Sequence, residues 1–68
     1  MSEPRILHEV MIDGKKYIEA AGVTGQEKPA GDFVTGSSYL ELDPENNNVK
    51  VYFYNEEDSD WMALGGDE

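Results

Sequence analysis

The sequence predicts an all-β domain, a small antiparallel meander of about five short strands with a long central loop. Three observations predict it. Apolar and polar residues alternate with a period of two between Tyr39 and Tyr54, the spacing of a half-buried strand. Asp13-Gly14 stands between two apolar-bearing runs, Val10–Ile12 and Tyr17–Ile18, and Asp-Gly is the preferred pair for a two-residue hairpin turn because both central positions need positive φ. No segment carries a 3.6-residue apolar period.

Taken in order, the first hairpin turns at Asp13-Gly14 and sets Ile12 opposite Lys15, Val10 opposite Tyr17 and Leu7 opposite Ala20. That register puts Val10, Ile12 and Tyr17 on one face and Leu7, Met11 and Ile18 on the other, so both faces carry apolar side chains. Between Ala21 and Ser38 the pattern breaks at Gly22, Gly25, Pro29, Gly31 and Gly36. A loop of that length needs a purpose or a neighbour to order it. Phe33 and Val34 are its only bulky apolar pair and are expected to pin it. A second hairpin follows, with Pro44 to Asn48 as the turn between Tyr39–Asp43 and Val49–Tyr54. Asn55 to Asp60 forms a polar turn, and Trp61–Leu64 a short last strand whose tryptophan caps the sheet. The expected organisation is one β domain over residues 1–64 and a disordered acidic tail over 65–68.

At 68 residues the chain supports one domain with a marginal core, which small natural scaffolds reinforce with disulfides, a metal or a partner. There is no cysteine, which closes the disulfide route and excludes a thiolate metal site, so support from a partner or a second copy is expected. No apolar run reaches the roughly 20 residues that cross a bilayer, and MSEPRILHEV lacks the basic start and apolar stretch of a signal peptide, so no membrane role is expected.

Fifteen acidic against five basic residues give a net charge of −10, which argues against direct nucleic-acid binding. Residues 1–40 hold six acids and four bases, whereas residues 41–68 hold nine acids and Lys50 alone. The acidity therefore belongs to the second hairpin and the tail. It reads either as a solvated face that keeps a sheet soluble or as a surface aimed at a basic partner.

Catalytic chemistry finds little footing. His8 with Ser37, Ser38 or Ser59 is the one nucleophile-and-base set, and no local sequence resembles a strained nucleophile turn. Asp43-Pro44-Glu45-Asn46-Asn47 imitates the start of a calcium loop, but the sixth and twelfth positions, which need Gly and Glu, hold Asn48 and Tyr54. No enzyme activity, cofactor or metal is expected. The aromatics are assigned to core packing rather than to a platform for bases or sugars, and bases are disfavoured further because no cations are expected to accompany the rings.

The run IDGKKYIEA, the glycine-broken loop with Lys28-Pro29, then FVTGSSYLELD and VKVYFYNEEDSDW together resemble small acidic proteins encoded in the virion regions of phages and prophages of Gram-positive bacteria. The second hairpin with its tryptophan is similar to a β-module of phage tail and fibre proteins. The resemblance implies a non-enzymatic virion component made in the host cytoplasm: a capsid decoration, a head-fibre or a minor tail protein. Its partners would be other virion proteins of the shell or tail, with the chain acting as a homo-oligomer or multicopy subunit. The expected contact uses Leu7, Met11, Ile18, Phe33 and Val34, with the acidic surface of Glu41, Asp43, Glu45, Glu56, Glu57, Asp58 and Asp60 turned outward. The alternative is a phage-encoded inhibitor of a host protein whose carboxylates mimic nucleic acid.

Overall fold

The computed structural model describes residues 3–64. They form one five-stranded sheet with no helix among them: β1 (Arg5–Ile12), β2 (Lys15–Val23), β3 (Ser38–Asp43), β4 (Asn48–Asn55) and β5 (Asp60–Ala63). The strands lie in chain order, and the all-β class is as the sequence predicts. The expected tail, 65–68, lies outside the described residues.

One pairing departs from an antiparallel meander. β2 and β3 run parallel, Glu19 beside Ser38 through Val23 beside Leu42, while the other three pairings are antiparallel. Parallel neighbours need a crossover of a dozen or more residues, and the glycine-rich segment 24–37 is that crossover. Alternation in a sequence encodes which side chains share a face and is silent on strand direction, so the sequence alone left the loop without this role.

The turns follow local chemistry. Asp13 (φ 51°) and Gly14 (φ 81°) make the left-handed pair required between Ile12 and Lys15. The other two hairpins share one design, a four-residue loop with its last residue left-handed. Asn47 (φ 54°) donates its N–H to Pro44 O at 3.4 Å, and Ser59 (φ 50°) donates to Glu56 O at 3.2 Å. Each loop follows an Asx residue whose side chain accepts a backbone N–H, Asp43 from Asn46 and Asn55 from Glu57.

In the first hairpin, Val10 pairs with Tyr17 and Ile12 with Lys15 as expected, but Ala20 pairs with Ile6, because β1 carries an irregularity at Leu7 between Ile6 and His8. A bulge of this kind bends an edge strand and leaves one residue unpaired.

The core lies between the sheet and the crossover. After Val23 the chain returns across one face and enters the sheet at Phe33, which bridges Lys16. Val34 N–H donates to Lys16 O at 2.8 Å, and Tyr54 N–H donates to Ser37 O at 2.8 Å, so 33–37 occupies the line of β3 between β2 and β4. The fully buried Ser37 replaces a ladder carbonyl by accepting Ile18 N–H at its hydroxyl, 3.1 Å. Above this seam Ile18, Ala20, Phe33, Tyr39 and Tyr54 are buried, with Tyr52 and Trp61 packed against them.

Ring contacts carry much of the packing: Phe33 and Trp61 each meet Tyr54 edge-on at 5.3 Å, and Trp61 lies 6.0 Å from Tyr39. Such pairs are worth about 0.5–1.5 kcal/mol beyond their area. Two polar tips hold the crossover down, Trp61 Nε1–H donating to Pro29 O at 3.0 Å and Tyr54 O–H to Gly31 O at 3.1 Å.

Tyr39 is the exception to this satisfaction. Its hydroxyl is buried without a hydrogen-bond partner, and burial, with Glu41 nearby, raises its pKa. A Cβ on Gly22 would collide with that oxygen and stand 2.7 Å from Gln26 Oε1. Gly22→Ala is therefore expected to cost about 1–3 kcal/mol, and Tyr39→Phe to be neutral or stabilising, since it removes an unpaired buried donor. Urea denaturation of the two single variants and the double variant tests the pair: the cost of Gly22→Ala should shrink in the Tyr39→Phe background, and equal costs would refute the steric account.

Candidate interaction surfaces

Register divides every strand residue between two faces. The crossover face holds Ile18, Ala20, Tyr39, Glu41, Tyr52, Tyr54 and Trp61. The opposite face holds Val10 and Ile12 of β1, Tyr17, Ala21 and Val23 of β2, Leu40 and Leu42 of β3, Val49, Val51 and Phe53 of β4, and Met62 of β5. No part of the described chain lies over this second face. The fold measures 39 × 28 × 15 Å, the proportions of a slab, and Val23, Leu42, Val49 and Met62 on this face are exposed.

The second face is apolar at its centre. Val23–Leu42–Val49 and Ala21–Leu40–Val51 run across β2, β3 and β4 as two adjacent rows. Of the ten exposed large hydrophobic residues, Val10, Ile12, Val23, Leu42, Val49 and Met62 are on it. Its charged strand residues stand on the flanks: Arg5, His8, Lys15 and Glu19 toward β1, and Asp60 at the start of β5. Tyr17 O–H donates to Glu19 Oε2 at 3.1 Å, which raises the tyrosine's pKa.

A second uncovered element is β1 itself. It pairs with β2 alone, and all eight of its residues are exposed, with Ile6, Leu7, Val10, Met11 and Ile12 among them. The crossover, tied to β4 and β5 at Gly31 and Pro29, leaves β1 open on both faces and along its outer edge.

The five residues expected to form the partner contact do not form one surface. Leu7 and Met11 are exposed at 63% each, but Ile18 at 1% and Phe33 at 6% are core, and Val34 is half-buried in the seam. Phe33 does pin the loop, and it does so by facing inward. In the sequence an apolar pair inside a polar loop reads equally as an anchor or as a contact. The open face was foreshadowed by the alternation at Leu40, Leu42, Val49, Val51 and Phe53, which shows a buried side without showing what buries it.

The expected acidic surface also divides. Asp43 and Glu45 lie at the start of β4 and Glu56, Glu57 and Asp58 beyond its other end, the length of a strand apart. Five of the seven carboxylates accept hydrogen bonds within the fold, Asp58 from Asn55 Nδ2–H at 3.5 Å and Asp60 from Trp61 N–H at 2.8 Å among them. Glu41 accepts Tyr52 O–H at 3.0 Å, Asp43 accepts Asn46 Nδ2–H at 2.9 Å, and Glu56 accepts Thr35 N–H at 2.8 Å and pairs with Lys15 at 2.8 Å. On the crossover face Lys28 Nζ stands 4.2 Å from the Tyr52 ring centroid, a cation–π contact. An open groove of about 520 Å³ runs between the crossover and the start of β1, past Pro4, Ile6, Gln26 and Pro29. Among the described residues no group of His, Asp or Glu is placed to hold a metal ion, and His8 has only Glu19 opposite it across the ladder.

The Lys15 hydrogen bond, then the Thr35 N–H, hold the Glu56 carboxyl below its usual range, and the same pair raises Lys15. A carboxyl with a depressed folded-state pKa stabilises the fold above its unfolded pKa, and that contribution is lost as pH falls through the folded value. Because both groups are exposed, the effect is modest. Glu56→Gln is expected to be less stable than wild type at neutral pH, with the two melting curves converging as pH falls below the usual glutamate range. A constant gap across that range would show that Glu56 acts without its charge.

Comparisons with protein-family models, with curated proteins and with solved structures find no match to this chain.

Proposed function

We propose that this protein is a non-enzymatic structural component of a phage particle, a capsid decoration, head-fibre or minor tail protein that binds other virion proteins. The observation that carries the binding role is β1, an eight-residue edge strand exposed along its whole length and bearing five large apolar side chains. A strand in this state has unpaired backbone donors and acceptors on its outer edge, and it is a template for another protein's sheet or strand. Leu7 and Met11 supply apolar contact beside that edge. The resemblance of the sequence to small acidic virion proteins supports the identity of the partner. The exposed edge supports a partner that takes the strand, and the resemblance supports a shell or tail protein as that partner, with the protein carried on the virion in many copies.

Attachment made of apolar contact and backbone hydrogen bonds resists salt, whereas an acidic surface held by a basic partner releases steeply as ionic strength rises. Sedimentation with purified particles of the encoding phage, at low and high salt, tests the proposal. Many copies per particle should survive high salt, and Leu7→Asp with Met11→Asp should abolish occupancy while circular dichroism stays that of a folded sheet. Wild-type occupancy by the double variant would remove β1 from the contact. A protein that ignores particles and binds a basic host protein in a salt-sensitive way would replace this reading with the acidic inhibitor.

A further inference from the structure

We infer that the open sheet face is the interface of a symmetric homodimer, in which two copies stack face to face as a two-layer β-sandwich with Leu40, Leu42, Val49 and Val51 at its centre. The inference is separate from attachment through β1 and needs no particle.

Area is the first argument. A stable interface takes roughly 800 Å² from each partner, and the whole described chain, turns and first hairpin included, measures 39 × 28 Å in its two longer dimensions, so nearly the full open face has to take part. The side-chain chemistry suits it as well. The centre of the face is made of β-branched and leucine side chains in two adjacent rows, which is what each layer of a sandwich presents to the other. Such sheets pack about 10 Å apart with strand directions within about 30° of each other. Two 15 Å layers would then bury side chains that one layer leaves wet.

Charge selects a second copy over another occupant. A protein carrying −10 that bound a basic partner here would present carboxylates to it, yet the centre of this face carries none. Glu45, Glu57 and Asp58 sit on hairpin tips, and Glu41 and Asp43 belong to the crossover face. Stacking two copies through the open face directs those acids outward on both sides, so the like charges of the copies stay apart while their apolar rows meet. A two-fold axis also asks for one self-complementary patch rather than two matching ones, and a face with a neutral centre and charged flanks meets that condition. Anionic lipid, the other apolar-seeking surface, would repel a chain of net charge −10.

The test uses the whole chain. Wild type should sediment as a dimer over a concentration series. Leu42→Lys with Val49→Lys should sediment as a monomer, and so should Leu42→Glu with Val49→Glu. Both positions are already exposed in one copy, at 38% and 49%, so the sheet should persist by circular dichroism. Lysine is informative because it lowers the net negative charge, and loss of the dimer cannot then be ascribed to overall repulsion. Mixing the lysine and glutamate variants should restore a one-to-one dimer by native mass spectrometry, an outcome that only a face meeting its own copy produces. A wild type that stays monomeric throughout the series would overturn the inference. So would a dimer that survives the lysine pair and is lost in Leu7→Asp with Met11→Asp, since that result assigns association to the β1 edge. Because particle binding is read separately, a dimer that ignores particles would refute the proposed function and leave this interface standing.

Discussion

The parallel pairing of β2 with β3 is the constraint on which the rest of the molecule depends. An antiparallel neighbour could have been reached by a tight turn, but a parallel one obliges the chain to travel back the length of the sheet. In a larger protein that return is a helix, which covers a sheet face with a broad apolar stripe. Here it is fourteen residues, 24–37, rich in glycine and charged side chains, and it covers a face with little more than Phe33. The aromatic residues of β3, β4 and β5 do the remaining work, closing over the seam so that Tyr39, Tyr54 and Phe33 are buried beneath a strap of backbone. The core is therefore aromatic because the cover is thin: rings bury large areas per residue and reach the strap without help from a second layer.

That arrangement explains the polar wiring. A strap without helical hydrogen bonds leaves its carbonyls to find other partners, and Pro29 and Gly31 find them in Trp61 Nε1–H and Tyr54 O–H. Phenylalanine at Tyr54 would fill nearly the same space and leave the Gly31 carbonyl unpaired. Lys28 adds an attraction from above, with its ammonium over Tyr52. Gly22 and Tyr39 show the limit of the design. There the first residues of the crossover come so close to the sheet that no Cβ fits, and one hydroxyl goes without a partner.

Much of the architecture was legible in the residues, because turns and alternation are local. Asp13-Gly14, the polar turns around Pro44–Asn47 and Glu56–Ser59 and the period-two runs of β3 and β4 each declare themselves within a few positions, although Asn48, Asn55 and Asp60, expected in turns, are strand residues. The direction of β3 relative to β2 is a non-local fact with no local signature. Neither is the inward turn of Phe33, since a phenylalanine inside a polar loop satisfies the same pattern whether it anchors the loop or awaits a partner. The bulge at Leu7 moved the end of the first hairpin by one residue, which in a strand exchanges faces: Ile6, not Leu7, pairs with Ala20. The acidic half of the chain looked continuous because the sequence lists its carboxylates together, while a single antiparallel strand, β4, carries them to opposite ends.

The two uncovered elements follow from the same economy of chain. A strap tied down at β4 and β5 leaves β1 outside the core with both faces wet, and the opposite side of the sheet receives no cover from the described residues. In a domain of this size an apolar face left in water forgoes stabilisation of about 25 cal/mol for each Å² that burial would supply, against a total stability of only several kcal/mol. Leu42, Val49 and Met62 are apolar and exposed, while the hairpin tips a few residues away are polar. With fifteen acids concentrated elsewhere, the surface is sorted into an apolar region and others that repel a like-charged copy. In the proposed dimer that repulsion would limit stacking to a single pair of layers, because the outer faces of the sandwich would present Glu41, Asp43 and the acidic turns to any third copy.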